Sequence, residues 1–162
     1  MRSGRRLAID VGKARVGVAV CDFHGILASG LATVARQPEL IETAELIVKT
    51  VQQNDIEISD LVEIYVGLPT NLKGQDTEST RDAISVATAL ASIVDCEVRM
   101  IDERLTTVSA TAALRSSGIN SKKGRGVIDQ VAATLILEQA LSSEKASGLQ
   151  PGTPLNEIED QE

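Results

Sequence analysis

The chain has 162 residues, 43% of them hydrophobic, and 23 acidic against 16 basic side chains give a net charge of -7. One core burying roughly 70% of the extended surface is expected, with no metal or disulfide staple needed, and Phe23 and Tyr65 as the sole aromatics argue against base-stacking platforms. No run approaches the roughly 18 apolar residues of a membrane span, the opening Met-Arg-Ser-Gly-Arg-Arg lacks an apolar leader, and Cys21 and Cys96 have no CxxC partner, so a cytoplasmic protein with reduced core thiols and no membrane partner is expected.

Residues 7–12, Leu-Ala-Ile-Asp-Val-Gly, form a strand pattern interrupted by one carboxylate, and a second apolar run covers 16–21. A hairpin closed across Lys13-Ala14 pairs Val11 with Val16, Ile9 with Val18 and Leu7 with Val20 on one bulky face. The other face pairs Asp10 with Gly17 and Ala8 with Ala19. The charge therefore stands on a floor of small side chains that another backbone or a ligand can approach closely. A buried charge needs compensation, so Asp10 is the first candidate site residue.

A turn at 22–25, holding the single histidine His24 as a surface residue, leads to a third strand at 26–35 and completes an antiparallel meander. Pro38 opens an amphipathic helix to about Gln53, and a buried strand at 61–66 ends at Gly67-Leu68-Pro69. The polar loop 70–74 that follows is a candidate ligand loop, being at the carboxyl end of a strand. A helix at 79–94, a strand at 96–101 and a helix from Thr106 or Thr107 to Ser117 come next, then a basic, glycine-containing loop at 119–126. The last helix spans about 125–141 and carries Asp129 in its first turns.

Bases cluster in two places. Arg2, Arg5, Arg6, Lys13 and Arg15 crowd the first hairpin, and Arg115, Lys122, Lys123 and Arg125 surround the second loop, two electrostatic footprints suited to phosphates. Residues 142–162 hold five acids and one base and read as a disordered tail on a domain of residues 1–141. The element order gives an α/β protein with a mixed five-stranded sheet, a three-strand antiparallel meander plus two parallel strands, and flanking helices.

Three acids stand out by position: Asp10, Glu103 (or Asp102) at the end of the last strand, and Asp129. Neighbours on a strand point to opposite faces, so only one of Asp102 and Glu103 can join Asp10. Asp129 has Ala132 and Ala133 at i+3 and i+4, which lets its helix lie close to the small-residue face. Converging carboxylates repel unless they hold hard cations; oxygen-only ligands suit Mg²⁺ or Mn²⁺, and two such ions support phosphodiester hydrolysis. Taken singly, Asp129 reads as a helix-dipole residue and Glu103 as an ion-pair partner of Arg99 or Arg104.

Residues 8–12 with 15–19, 66–69, Asp102-Glu103-Arg104-Leu105-Thr106-Thr107 and Ile128-Asp129-Gln130-Val131-Ala132-Ala133 resemble, in order and spacing, the YqgF/RuvX family over about residues 6–141. The resemblance implies a ribonuclease-H-like fold related to Holliday junction resolvases and a nuclease role in maturing the 5′ end of the small-subunit (16S) rRNA precursor. It places catalytic, metal-binding acids on Asp10, Glu103 and Asp129. Substrate phosphates are assigned to Lys13, Arg15, Arg104, Lys122, Lys123 and Arg125. Cys21 stands where the family commonly has serine, and Thr70-Asn71-Leu72-Lys73-Gly74 departs from the usual loop. The expected partner is structured RNA, acted on by a monomer or homodimer. Alternatives are resolution of four-way DNA by a symmetric dimer, a non-catalytic module binding ribosomal or transcription components, and a relative of the actin-like and sugar-kinase ATPases, whose domain is duplicated where this chain holds one copy.

Overall fold

The computed structural model describes residues 1–69, 77–102 and 121–159, with the side chains of 121–127 left aside. Its elements are β1 (Arg5–Val11), β2 (Arg15–Cys21), β3 (Ala28–Ala35), α1 (Leu40–Gln53), a 3₁₀ turn (Ile58–Asp60), β4 (Leu61–Leu68), α2 (Glu78–Ala91), β5 (Glu97–Asp102), α3 (Ser121–Ser147), β6 (Thr153–Pro154) and α4 (Leu155–Glu159). The sheet runs β3-β2-β1-β4-β5-β6, with β1, β4 and β5 mutually parallel in that order. Their carboxyl ends therefore share one edge.

The hairpin register is the expected one: Leu7 faces Val20, Ala8 faces Ala19, Ile9 faces Val18, Asp10 faces Gly17 and Val11 faces Val16. Alternation then divides the core in two. Leu7, Ile9, Val16, Val18, Val20, Ile64, Val66, Val98 and Met100 pack under α1 and α2 through Ile47, Val51, Ile84 and Leu90. Ala8, Ala19, Cys21, Ala28, Tyr65 and Ile101 pack under α3 through Ala133, Ile136, Leu137, Ala140 and Leu141. A single core was the expectation; a sheet covered on both faces necessarily makes two.

Helix starts are set locally. Glu42 reaches back to the Glu39 amide at 3.1 Å, and Thr77 caps α2 by accepting from the Thr80 amide at 3.2 Å, a reciprocal arrangement that satisfies end amides. Among the described residues α3 covers Ser121–Ser147, so the segment expected as a loop at 119–126 is helical over 121–126. Gly124 and Gly126 each disfavour a helix by about 1 kcal/mol, which the packed turns that follow outweigh.

The tail also differs from its expectation. α3 runs on to Ser147, and Thr153 and Pro154 add a sixth strand antiparallel to Met100 and Arg99. Arg99 donates to the carbonyls of Pro151 at 2.6 Å and Gly152 at 2.9 Å, and Leu155 is buried. A short anchor of this kind has no periodicity, so composition alone could not reveal it.

Part of the first basic cluster is spent inside the fold. Arg6 is fully buried and pairs with Glu144 at 2.7 Å; Arg2 also engages Glu144 and reaches Glu63 at 2.7 Å. Glu63 further accepts from Tyr65 Oη at 2.8 Å and Gln150 Nε2 at 2.7 Å. This network lies at the amino end of β1, about 13 Å along the strand from Asp10 at 3.3 Å per residue, so Arg2 and Arg6 are not part of a surface footprint near it.

Both cysteines are free thiols. Burial pushes Cys96 up to about 11 and raises Cys21 as well. Because the thiolate is the reactive form, the native protein is expected to resist iodoacetamide at pH 8 while the urea-unfolded chain labels at both positions; rapid native labelling at Cys96 would contradict this. Among the described residues no helix is long and apolar enough to cross a membrane.

Candidate active site

The site is built on the hairpin and on α3. Asp10 is half-buried near the carboxyl end of β1, opposite Gly17. Above Gly17 lies the backbone of Asp129: a Cβ added at Gly17 would stand 2.0 Å from the Asp129 carbonyl oxygen and 3.0 Å from its Cβ. The cleared floor is thus occupied by helix backbone. Gly30 repeats the device one strand further out, under Gln130, whose Nε2 donates to Thr33 Oγ1 at 3.1 Å. Small residues on β2 and β3 let α3 seat closely enough to bring Asp129 beside the strand carrying Asp10.

Asp129 is the ninth residue of α3, beyond the first turn where a helix dipole acts. Dipole stabilisation therefore does not account for it. Its partner is Arg15, whose Nε donates to Oδ2 at 2.9 Å, with the arginine side chain 37% exposed and the aspartate 17%. The sequence places Arg15 on substrate and offers Asp129 a helix dipole or a metal ion as compensation; in the fold, an arginine two residues along β2 from Gly17 pairs with it.

Asp102 follows Ile101 in β5, and Ile101 packs under α3 while Met100 packs under α1 and α2. Alternation thus gives Asp102 the face opposite Asp10. Glu103 and Arg104 lie outside the described residues, as do the loop 70–74 and the helix expected at 106–117. Lys122, Lys123 and Arg125 fall on the first turns of α3 by backbone position. Among the described residues, no three histidine, cysteine, aspartate or glutamate side chains form a metal cluster. Asp10 and Asp129, which the hairpin register and the seating of α3 set on the same face of the sheet, are both carboxylates, a donor type that fits Mg²⁺ or Mn²⁺: Mg²⁺ commonly takes one or two protein carboxylates and fills its octahedron with water and substrate phosphate.

The hairpin tip carries a feature no spacing announced. Arg36, just past β3, donates from Nη1 to the Gly12 carbonyl at 2.9 Å and forks onto Asp82 of α2 at 2.7 and 3.0 Å. The hydrogen bonds to Asp82, with its charge, raise the Arg36 pKa against the effect of burial. Its amide also donates to the Ala14 carbonyl at 2.9 Å. The turn between Asp10 and Arg15 is in this way tied to both β3 and α2.

The chain matches a family model described as RuvX, Holliday junction resolvase, over residues 4–143. A protein of Leifsonia xyli subsp. xyli named "Putative pre-16S rRNA nuclease" is 49% identical over 158 residues, 96% of each chain. One of Streptomyces avermitilis bearing the same name is 46% identical over 153 residues, 94% of each chain. Among solved structures, Thermus thermophilus RuvC in complex with a Holliday junction substrate aligns with a TM-score of 0.53 at 16% identity, covering 93% of this chain and 99% of that one. That likeness establishes the ribonuclease-H-like fold.

Proposed function

This chain belongs to the RuvX family of Holliday junction resolvases, and from that premise we propose that it is a divalent-metal-dependent endonuclease maturing the 5′ end of pre-16S rRNA. Nuclease activity, and with it hydrolysis of nucleic acid, rests on the family and its relatives. The pre-16S rRNA substrate is supported by the names of the relatives, and metal-dependent cleavage by the seating of Asp129 over Gly17, the residue that pairs with Asp10. Two hard oxygen donors are thereby supplied by different elements at one sheet edge. Glu103 is proposed as third ligand on the resemblance alone; Asp102, by the alternation of β5, takes the other face.

Mg²⁺ or Mn²⁺ held by these acids, as two ions, would activate water and stabilise the leaving oxygen. The chain's own residues do the rest. Gly17, lacking a Cβ, lets the backbone of Asp129 rest on β2, which sets that residue on the sheet face that carries Asp10. Arg15 balances the Asp129 carboxylate, and its guanidinium, 37% exposed, is open to the phosphate of a bound substrate. Lys13, Arg104, Lys122, Lys123 and Arg125 add salt-dependent attraction for the flanking backbone. Such a substrate belongs to the cytoplasm.

Titration with Mn²⁺, followed by electron paramagnetic resonance for the parent and Asp10→Asn, tests the reading alongside cleavage of pre-rRNA. Asp10→Asn is expected to bind the ion more weakly and to lose cleavage while retaining RNA. Cutting at the parental rate would overturn the assignment, and RNA affinity without cleavage in the parent itself would leave a non-catalytic binding module. The family's description favours one second reading, resolution of four-way DNA by a homodimer; sedimentation as monomer throughout the micromolar range would exclude it.

A further inference from the structure

Across the hairpin tip from the acids lies a cleft of about 420 Å³ whose lining includes Lys13, Arg36, Glu78, Arg81 and Asp82, with the hydroxyls of Ser79 and Ser85. Three cations there face two carboxylates. Asp82 is already matched by the two-pronged contact from Arg36, which leaves Lys13 and Arg81 against Glu78 alone. Both are exposed, and neither has an ion-pair partner among the described residues. An unmatched positive charge in a concave, hydroxyl-bearing setting suits a phosphodiester, with lysine acting as a point charge and arginine as a fork.

Position makes the cleft more than surface charge. Lys13 sits in the turn that separates Asp10 from Arg15, and Arg36 clamps that turn to α2 through the Gly12 carbonyl and Asp82. Val11 packs with the core under α1 and α2, whereas Asp10 takes the α3 face. The acids and the cleft therefore lie on opposite sides of one hairpin tip, at the carboxyl ends of β1 and β4. A strand gripped at both must cross that tip.

We propose that this cleft is a second phosphate subsite for the nucleic-acid strand, in which Lys13 and Arg81 bind the backbone and Arg36 is a positioning residue that holds Lys13's turn against α2. The inference rests on the nuclease reading but not on the metal chemistry. It extends the track from the α3 face, where Arg15 lies, onto α2, and gives Arg81 a role.

Fluorescence anisotropy with the full chain and an RNA hairpin bearing a single-stranded 5′ extension, from 50 to 200 mM KCl, provides the test. The double variant K13Q/R81Q is expected to bind about tenfold more weakly at the lower salt, with the log–log salt slope shallower by about 1.4, twice the roughly 0.7 per phosphate of a single strand. Lys49→Gln, on the exposed side of α1, should change neither. Arg36→Gln should weaken binding with a smaller loss of slope, since it acts through Lys13. Thermal melts confirm that each variant is folded. Unchanged affinity, or weaker binding at an unchanged slope, in K13Q/R81Q would overturn the subsite. Failure of the metal reading shows differently, as an Asp10→Asn protein that still cuts.

Discussion

Gly17→Ala is expected to destabilise the protein by about 3 kcal/mol, the upper range for forcing a methyl into a packed contact, and to weaken divalent-ion binding in the same protein. The new Cβ would stand 2.0 Å from the Asp129 carbonyl oxygen. That atom belongs to helix backbone, which cannot swing aside as a side chain can. α3 must lift from β2, and lifting moves Asp129 away from Asp10 while uncovering Ala8 and Ala19, both now fully buried. At about 2–4 °C per kcal/mol for a chain of this size, the melting temperature should fall by about 6–12 °C. Gly148→Ala is the control: Gly148 has φ +73° with nothing within 4 Å, so only left-handed strain of about 1 kcal/mol is at stake. Urea unfolding of both variants decides it, and a Gly17→Ala protein within 0.5 kcal/mol of the parent would mean that α3 does not rest on β2.

Glu144→Gln is expected to weaken the fold by about 3 kcal/mol at pH 7, because removing one partner leaves a buried charge uncompensated. That charge is Arg6, with no exposed surface; its Nη2 bonds Glu144 and the Arg2 carbonyl, its Nη1 the Gly4 carbonyl, and its Nε has no partner. The pH dependence follows from the same contacts. Burial alone would raise the Glu144 pKa, but the hydrogen bond from Arg2 and the charges of Arg6 and Arg2 outweigh it and hold the carboxyl below its usual value. A folded pKa below the unfolded one means that the carboxylate's stabilisation is fully present above the unfolded value, about 4.3. It is lost as pH falls through the folded value. The parent should therefore lose stability below about pH 4, and Glu144→Gln should lack that part of the acid dependence. Parallel urea curves at pH 7 and pH 3.5 test both statements. A variant as stable as the parent at neutral pH would show that Arg6 finds other compensation.

These two sites differ in how far they could be read in advance. Gly17 was legible, because a glycine opposite an aspartate in an alternating hairpin implies close approach by something, and the alanines after Asp129 identified a helix able to provide it. The Arg6–Glu144 pair was not. Its partners are 138 residues apart, and Glu144 stood among acids whose local composition read as a solvated tail. Arg15 is intermediate: its place in a basic cluster was visible, but its bond to Asp129 depends on the depth at which α3 sits.

Taken by itself, the order of residues determined the hairpin register, the parallel placement of the later strands and the positions of Asp10 and Asp129, because each follows from side-chain alternation or helical spacing over a few residues. The tertiary structure alone decided the sixth strand anchored by Arg99 and Leu155, the two cores on either side of the sheet, the helical backbone over 121–126, the burial of Arg6, and the pairings of Arg15 with Asp129 and Arg36 with Asp82. Those contacts join segments far apart in the chain. Whether an arginine meets phosphate, water or carboxylate depends on which distant backbone is packed beside it, and local periodicity carries no such information.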